Sequence, residues 1–513
     1  MKIIKQVNKG FQIGQKEEGD IYENGKLIFN IRDGKTPEEL LALDIKLINS
    51  NNNELTKSQE AINNKTSIIL NDDQETALAQ MLKWYNSNNN FATLTGSAGS
   101  GKTTIVNNFL QNVRNWEAVV TAPTHKAKKK IEESTGLKGM TVQKLLGLRP
   151  NVDIDNFNIN RVQFDLLAEP EINKYKLVII DECSMLNKDL YQLIIQIATE
   201  KHVKILFVGD ELQIPPVHES KSDSITKAKN LFKLNVIIRQ KESNPIRTVL
   251  AMIREDIING TNNFRNFLKQ NPKSINEYGE GYEVVSNRIE FMQHIVKDFQ
   301  SSEFQYDKDH ARHHAWTNLT VKSFNAAIRK ILFNNDLSML LKGDTLMAYN
   351  SIINDTGINN IINSAEYVVQ EVAKGISNHN MVGYIVKVET IDSQINKSLF
   401  ILDPVSYPNF TKKHNELLET ALNQKGMAWR RYYAFKEQHL LIDDIKDSRG
   451  KLVVKKDIDY AYSITVHKTQ GSTYGTSFIS GDDIDKNQNF TERKQLWYVA
   501  LSRAKTKVII FLP

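Results

Sequence analysis

The sequence has almost no cysteine: Cys183 is the single one in 513 residues. That count excludes an internal disulfide and any cysteine-based zinc site, and it fits a reducing compartment. Long hydrophobic runs are missing too. No stretch of about 18 apolar residues is present to cross a bilayer, and Met1-Lys-Ile-Ile-Lys-Gln6 has no signal-peptide core. The expectation is a cytoplasmic protein with no membrane partner. A strong excess of one charge is also absent. Lys and Arg number 66 against 60 Asp and Glu, a net charge of +6, which tolerates a polyanionic partner without demanding one. The composition, 40% hydrophobic and 25% charged, is ordinary for a globular chain, and the length suggests roughly three or four domains.

Against that background one stretch is unusual. Gly96, Ser97, Ala98, Gly99, Ser100, Gly101, Lys102, Thr103 and Thr104 fit G-x-x-x-x-G-K-[ST], between a strand at 91–95 and a helix at 105–113. The glycines let successive N–H groups face one phosphate, and the following helix adds its positive end. Lys102 is expected to reach the β- and γ-phosphates, and Thr103 to put its hydroxyl on Mg²⁺. A second signal is Lys176-Leu-Val-Ile-Ile-Asp-Glu-Cys-Ser-Met185, a buried strand that delivers Asp181 and Glu182 to its C-terminal end. Asp181 is expected to hold Mg²⁺ and Glu182 to orient and deprotonate the attacking water, which points to hydrolysis of a nucleoside triphosphate rather than binding alone. Gln213, after the strand 203–209, is placed to sense the γ-phosphate. Gln74 heads a helix with an apolar face at Ala77, Leu78, Met81 and Leu82; its amide suits the two-sided edge of adenine, although a solvated helix residue has the same spacing.

Thr124, His125 and Lys126 follow the strand 118–123 at the sheet edge where ligands bind in α/β folds, so they are expected at a phosphate backbone. The basic run there also reads as a solvated helix face. Thr141 opens a further short segment. Arg149 to Asn160 reads as a hairpin with Phe157 at its tip, where the ring either stacks on a base or packs under its own hairpin, with Phe164 as a rival. His310, His313 and His314 are expected in a solvated loop. Residues 11–30 suggest a hairpin around Asn24-Gly25, and Thr36 to Asp44 a capped helix.

With these motifs in this order, followed by Ile238-Arg-Gln240, Ser463 to Tyr474 and Trp497 to Lys505, the chain resembles a superfamily 1 helicase of the RecD-like branch and is most similar to phage Dda-type helicases. The resemblance covers residues 68–513. It implies an α/β fold with two RecA-like parallel-sheet domains and ATP in the cleft between them. The first would span 67–235, with a pin hairpin at about 149–169; the second would span 236–349 and 459–513. Residues 350–458 would form an inserted SH3-like and helical tower subdomain, and 1–66 an extension of unknown role. Arg239 and Arg503 match the arginines that cross to the γ-phosphate, and Thr317, Asn318 and His467 match nucleic-acid contacts. The implied activity is ATP-dependent, 5′ to 3′ movement on single-stranded DNA with separation of duplex forks. Its expected setting is a monomer working with replication, recombination or repair proteins. Two other readings stay open from the residues: an RNA-directed helicase, and a nucleotide-gated translocase or recruitment switch that never unwinds.

Overall fold

The computed structural model describes three strands between residues 13 and 30, and residues 70–513 apart from 114, 150–156, 162–167, 217–218, 237–243, 353–357, 392–394 and 425. The chain divides into two compact units, Met1–Asn71 and Asp72–Pro513. In the first, β1 (Ile13–Gln15), β2 (Asp20–Glu23) and β3 (Lys26–Asn30) form an antiparallel sheet, with Glu23 opposite Lys26 so that two residues separate β2 from β3. The helix expected at 36–44 lies outside the described residues.

The second unit begins with α1 (Asp72–Tyr85) and a six-stranded sheet. Its strands are β4 (Phe91–Gly96), β5 (Ala118–Ala122), β6 (Gly139–Thr141), β7 (Leu177–Ile180), β8 (Lys204–Gly209) and β9 (Leu231–Leu234). They lie in the order β6-β5-β7-β8-β4-β9, and every pairing is parallel. The near-continuous apolar runs of β5 and β7 are what a strand covered on both faces requires. Covering helices include α2 (Lys102–Gln111), α3 (His125–Thr135) and α4 (Lys188–Glu200). Asn187 caps α4 by accepting from the Leu190 N–H, and the helix buries Leu190, Leu193, Ile194 and Ala198 at spacings of three and four. Each large aliphatic side chain so buried contributes about 1.5–3 kcal/mol.

A second six-stranded sheet starts with β10 (Lys273–Ile275), β11 (Gly281–Val285) and β12 (Ala311–Ala315), the last leading into α5 (Asn318–Leu332). An antiparallel sheet then interrupts it: β13 (Thr345–Ala348), β14 (Glu366–Ile376), β15 (Val382–Thr390) and β16 (Asn396–Leu402). After it come the helix pair α6 (Tyr407–Gln424) and α7 (Met427–Glu437), the ribbon β17 (Ile445–Lys446) and β18 (Leu452–Val454), and β19 (Ile458–Tyr460). β13 and β19, at the two ends of the expected insertion, pair with each other in the antiparallel sheet, Leu346 opposite Tyr460. The chain then completes the second sheet with β20 (Ser463–Thr465), β21 (Tyr474–Ser480), α8 (Phe490–Ser502) and β22 (Ala504–Phe511), in the order β10-β11-β22-β21-β12-β20. Only the β10 to β11 pairing there is antiparallel. The unit is therefore α/β, with two mainly parallel sheets and an antiparallel and helical insertion in the second. No helix among the described residues is long and apolar enough to cross a membrane.

Candidate nucleotide site between two sheets

The phosphate loop joins β4 to α2. Gly99 and Gly101 have φ of 86° and 84°, the left-handed region where a side chain is strained. Lys102 is the first residue of α2, and its Nζ donates to the carbonyls of Gly96 at 2.7 Å and Ser97 at 3.0 Å, so the ammonium spans the loop. The hydroxyls of Ser97 and Ser100 are buried inside the turn with no hydrogen-bond partner among the described residues. Gln74 is buried on α1 and donates its amide N–H to the Ser100 carbonyl at 3.3 Å.

Asp181 and Glu182 sit at the C-terminal end of β7. The Glu182 N–H donates to Asp181 Oδ1 at 2.9 Å, and Glu182 itself has φ of 52°. A left-handed residue with a Cβ costs roughly 1–2 kcal/mol, and the strain turns the two side chains out of the strand together. Burial, and then the neighbouring Glu182, pushes the Asp181 carboxyl up, while Lys102 and Lys130 pull it down. Behind this turn Gly209 leaves room for Cys183: a Cβ there would lie 2.7 Å from its Sγ. Burial pushes that thiol up to about 12, which keeps the single cysteine inert.

One cavity of about 290 Å³ gathers these groups. Ala98, Gly99, Lys102, Thr103, Asp181, Glu182 and Gln213 of the first sheet's domain line it together with Arg503 from the C-terminal end of α8. Lys130 on α3 also lines it, a cation the motif reading did not single out. Gln213 is held from the second domain. Gln495 donates to its carbonyl at 3.2 Å, and Gln470 Nε2 lies 3.5 Å from Gln213 Oε1 and donates to the Ile214 carbonyl at 3.3 Å. Arg503 is buried and donates to the carbonyls of Val499, Thr469 and Ser472 and to the Ser502 hydroxyl, which fixes its guanidinium at the cleft. Arg239 lies outside the described residues. Two groups that the motif reading gave no role also meet here: Asp210, just after β8, and Tyr498 on α8 share the Ala98 N–H.

The residues expected at nucleic acid are placed less uniformly. Thr124, Thr141 and Thr317 are all N-caps, accepting from the N–H groups of Ala127, Lys144 and Thr320. Capping uses the oxygen as acceptor and leaves the hydroxyl proton to donate. In Thr317 that proton is also engaged, by Asp483. His125 is pushed down to about 4 by burial and by Lys128 and Lys397, so it is neutral at pH 7. Lys126 departs from its expected place at a phosphate backbone. Its ammonium pairs with Asp309 at 3.1 Å, just before β12, and with Glu366 at 3.3 Å, at the start of β14, and these carboxyls compensate a charge that burial opposes. Phe157 departs as well: only 5% exposed, it packs in the core of the first domain rather than at a tip, and its carbonyl accepts from Asn187 Nδ2. Most of the expected pin, including Phe164, lies outside the described residues. Asn318 is exposed at the start of α5. His467 lines a second cavity of about 660 Å³ with Pro215, Pro216 and Glu219 on one side and Asn489 and Gln495 on the other. His313 and His314, expected in a solvated loop, are buried on β12, between β21 and the edge strand β20 of the second sheet.

A phosphate loop, an acidic pair and a γ-side glutamine closed by an arginine from a second parallel-sheet domain define a two-domain nucleotide hydrolase. The family described as AAA domain matches residues 69–269, and the UvrD-like helicase C-terminal domain matches 460–511. An uncharacterised protein, R530, of Acanthamoeba polyphaga mimivirus is 23% identical over 75% of this chain and 87% of its own length. The ATP-dependent DNA helicase dda of Enterobacteria phage T4 is 24% identical over 44% of this chain and 47% of its own. The structure of Pif1 helicase from Candida albicans matches 87% of this chain and 95% of that one at 17% identity, with a TM-score of 0.44. The chain is thus similar to ATP-dependent helicases of the RecD-like branch of superfamily 1, the family that its motif order resembles.

Proposed function

We propose that this protein hydrolyses ATP to move 5′ to 3′ along single-stranded DNA and to separate duplexes at forks. The observation that carries the reading is the shared cavity, in which the phosphate loop and acidic pair of one domain face Arg503 of the other. Lys102 would exchange its two loop carbonyls for the β- and γ-phosphates. Glu182 would orient the attacking water and take its proton, and Gln213 would report the γ-phosphate to Gln470 and Gln495 across the cleft. Arg503 would stabilise charge on the transferring phosphoryl group, a role worth about 10³- to 10⁵-fold in rate. Gln74 would read adenine, and Arg239 is proposed as a second arginine. The Thr103 hydroxyl and Asp181 carboxyl are hard oxygen donors on one cavity wall and suit Mg²⁺, which would supply charge neutralisation between the phosphates. Thr124, Thr141, Asn318 and His467 are the groups left to meet a DNA strand. The DNA substrate and the polarity rest on the resemblance to the RecD-like branch and on the likeness to a phage DNA helicase.

The test is ATP-dependent strand displacement on two partial duplexes, one with a 5′ tail and one with a 3′ tail, with Lys102→Ala as control. Opening of the 5′-tailed duplex alone, lost in the control, is the expected result. DNA-stimulated hydrolysis with neither duplex opened would replace the helicase reading with a translocating switch.

A further inference from the structure

We propose that Tyr498 is a positioning residue that registers Arg503 against the phosphate loop; this rests on the reading of Arg503 as the arginine that meets the γ-phosphate. Tyr498 and Asp210 are each 1% exposed. The Tyr498 hydroxyl donates to Asp210 Oδ2 at 2.7 Å and accepts from the Ala98 N–H at 3.1 Å, while the same N–H lies 3.0 Å from Asp210 Oδ2. Asp210 is anchored in turn by the Leu212 N–H at 3.1 Å. Burial and the adjoining Asp210 hold the phenol protonated, so it always has a proton to give.

The three partners come from the phosphate loop, the end of β8 and α8. Among the described residues this triangle is a direct tie between the phosphate-loop backbone and the helix that ends at Arg503. The Arg503 guanidinium is pinned to the carbonyls of Val499 on α8 and of Thr469 and Ser472 just before β21, so it moves with α8 and that segment rather than by its own rotamers. Ala98 lies in the turn whose amides face phosphate, and any shift of its backbone on nucleotide binding reaches α8 through the Tyr498 hydroxyl. A displacement of about 1 Å at a reacting centre is enough to cost roughly 10²-fold. A tyrosine that merely satisfied a buried polar group would instead affect stability and leave turnover alone.

The test is Tyr498→Phe in the full chain, which removes the hydroxyl and leaves the direct contact between Ala98 and Asp210. The expected result is a fall of about tenfold or more in DNA-stimulated kcat for ATP, with KM within about twofold and a melting curve that stays cooperative and shifts only slightly downward, since Asp210 keeps the Ala98 and Leu212 N–H groups. The preference for ADP with aluminium fluoride over ADP alone should fall in step with kcat, because only the former engages the arginine. Asp210→Asn, which keeps the shape and one acceptor oxygen, should show the same split more weakly if Tyr498→Phe folds poorly. Wild-type kcat and preference in Tyr498→Phe, or equal losses of ADP binding and turnover, would overturn the proposal. Arg503→Ala run alongside separates the two ideas: wild-type turnover there sinks the arginine reading itself, whereas a dead Arg503→Ala beside a normal Tyr498→Phe sinks only the positioning role.

Discussion

At the scale of single residues, the histidines of β12 carry a consequence for pH. His313 stacks on Phe324 at 3.7 Å between ring centres and shares hydrogen bonds with the hydroxyls of Ser463 and Ser480. His314 is equally buried, and its two ring nitrogens have no hydrogen-bond partner among the described residues. Burial pushes His313 down to about 3 and His314 well below its ordinary value, so both are neutral in the folded protein. Above about pH 6.5 neither the folded nor the unfolded chain protonates them, and their contribution is complete. Below it the unfolded chain binds protons that the folded chain refuses, down to about pH 3 for His313. Each histidine then removes up to about 1.4 kcal/mol of stability per pH unit. Urea unfolding at pH 7.5, 6.5 and 5.5 should therefore show falling stability, with a shallower slope in His313→Gln by the share of one histidine. Equal slopes in the two proteins would mean that His313 does not titrate on unfolding. The sequence concealed this because Ala311-Arg-His-His-Ala315 reads as polar, while its burial depends on β20 and β21 pairing on either side from more than 140 residues away.

At the scale of elements, what was legible follows the range of the interaction. The phosphate loop, the acidic end of β7 and the glutamine after β8 are each written in a few consecutive residues, since a turn, a strand and a helix end are local necessities. The threonines show the limit of that reading: Thr124, Thr141 and Thr317 stand where a strand gives way to a helix, which is both where a ligand edge lies and where a helix needs a cap. Contacts across long separations were not legible at all. Lys126 at the start of α3 finds Glu366 at the start of β14, 240 residues on, and Arg312 joins them with Nη2 2.6 Å from Glu366 Oε2. Glu366 thus compensates two cations, Arg312 at 1% and Lys126 at 17% side-chain exposure. Removing one partner of a buried pair leaves an uncompensated charge and costs about 3–5 kcal/mol. Glu366→Ala should accordingly lower stability by about 3 kcal/mol, tempered by Asp309, while Lys126→Met, which leaves the Arg312 pair whole, should cost well under half of that. Denaturant midpoints of the two variants check the order. A reversal would show that Lys126, not Arg312, is the charge that Glu366 exists to hold.

At the scale of the molecule, the two parallel-sheet domains are joined by small polar ties placed around the nucleotide cavity. Tyr498 meets Asp210 and Ala98, Gln470 and Gln495 hold Gln213 and Ile214, and Gly471 lies against Ala127 and Thr124. Each such hydrogen bond is worth only about 0.5–1.5 kcal/mol, so a bound nucleotide should supply much of the coupling between the halves. A ligand at 100 times its Kd adds about 2.7 kcal/mol to whatever it binds. If it bridges the cleft through Arg503, that stabilisation is shared by both domains; if it touches only the phosphate loop, the first domain alone receives it. Calorimetry with Mg²⁺ and a non-hydrolysable ATP analogue should show one transition moving upward for residues 72–513 in the native protein and none of that shift in Lys102→Ala. In Arg503→Ala the analogue still finds the phosphate loop, so the transition should split, with the first domain rising and the second staying at its unliganded temperature. A single shifted transition in Arg503→Ala would mean that Gln213 and its glutamine partners, rather than the arginine, carry the nucleotide's effect across the cleft.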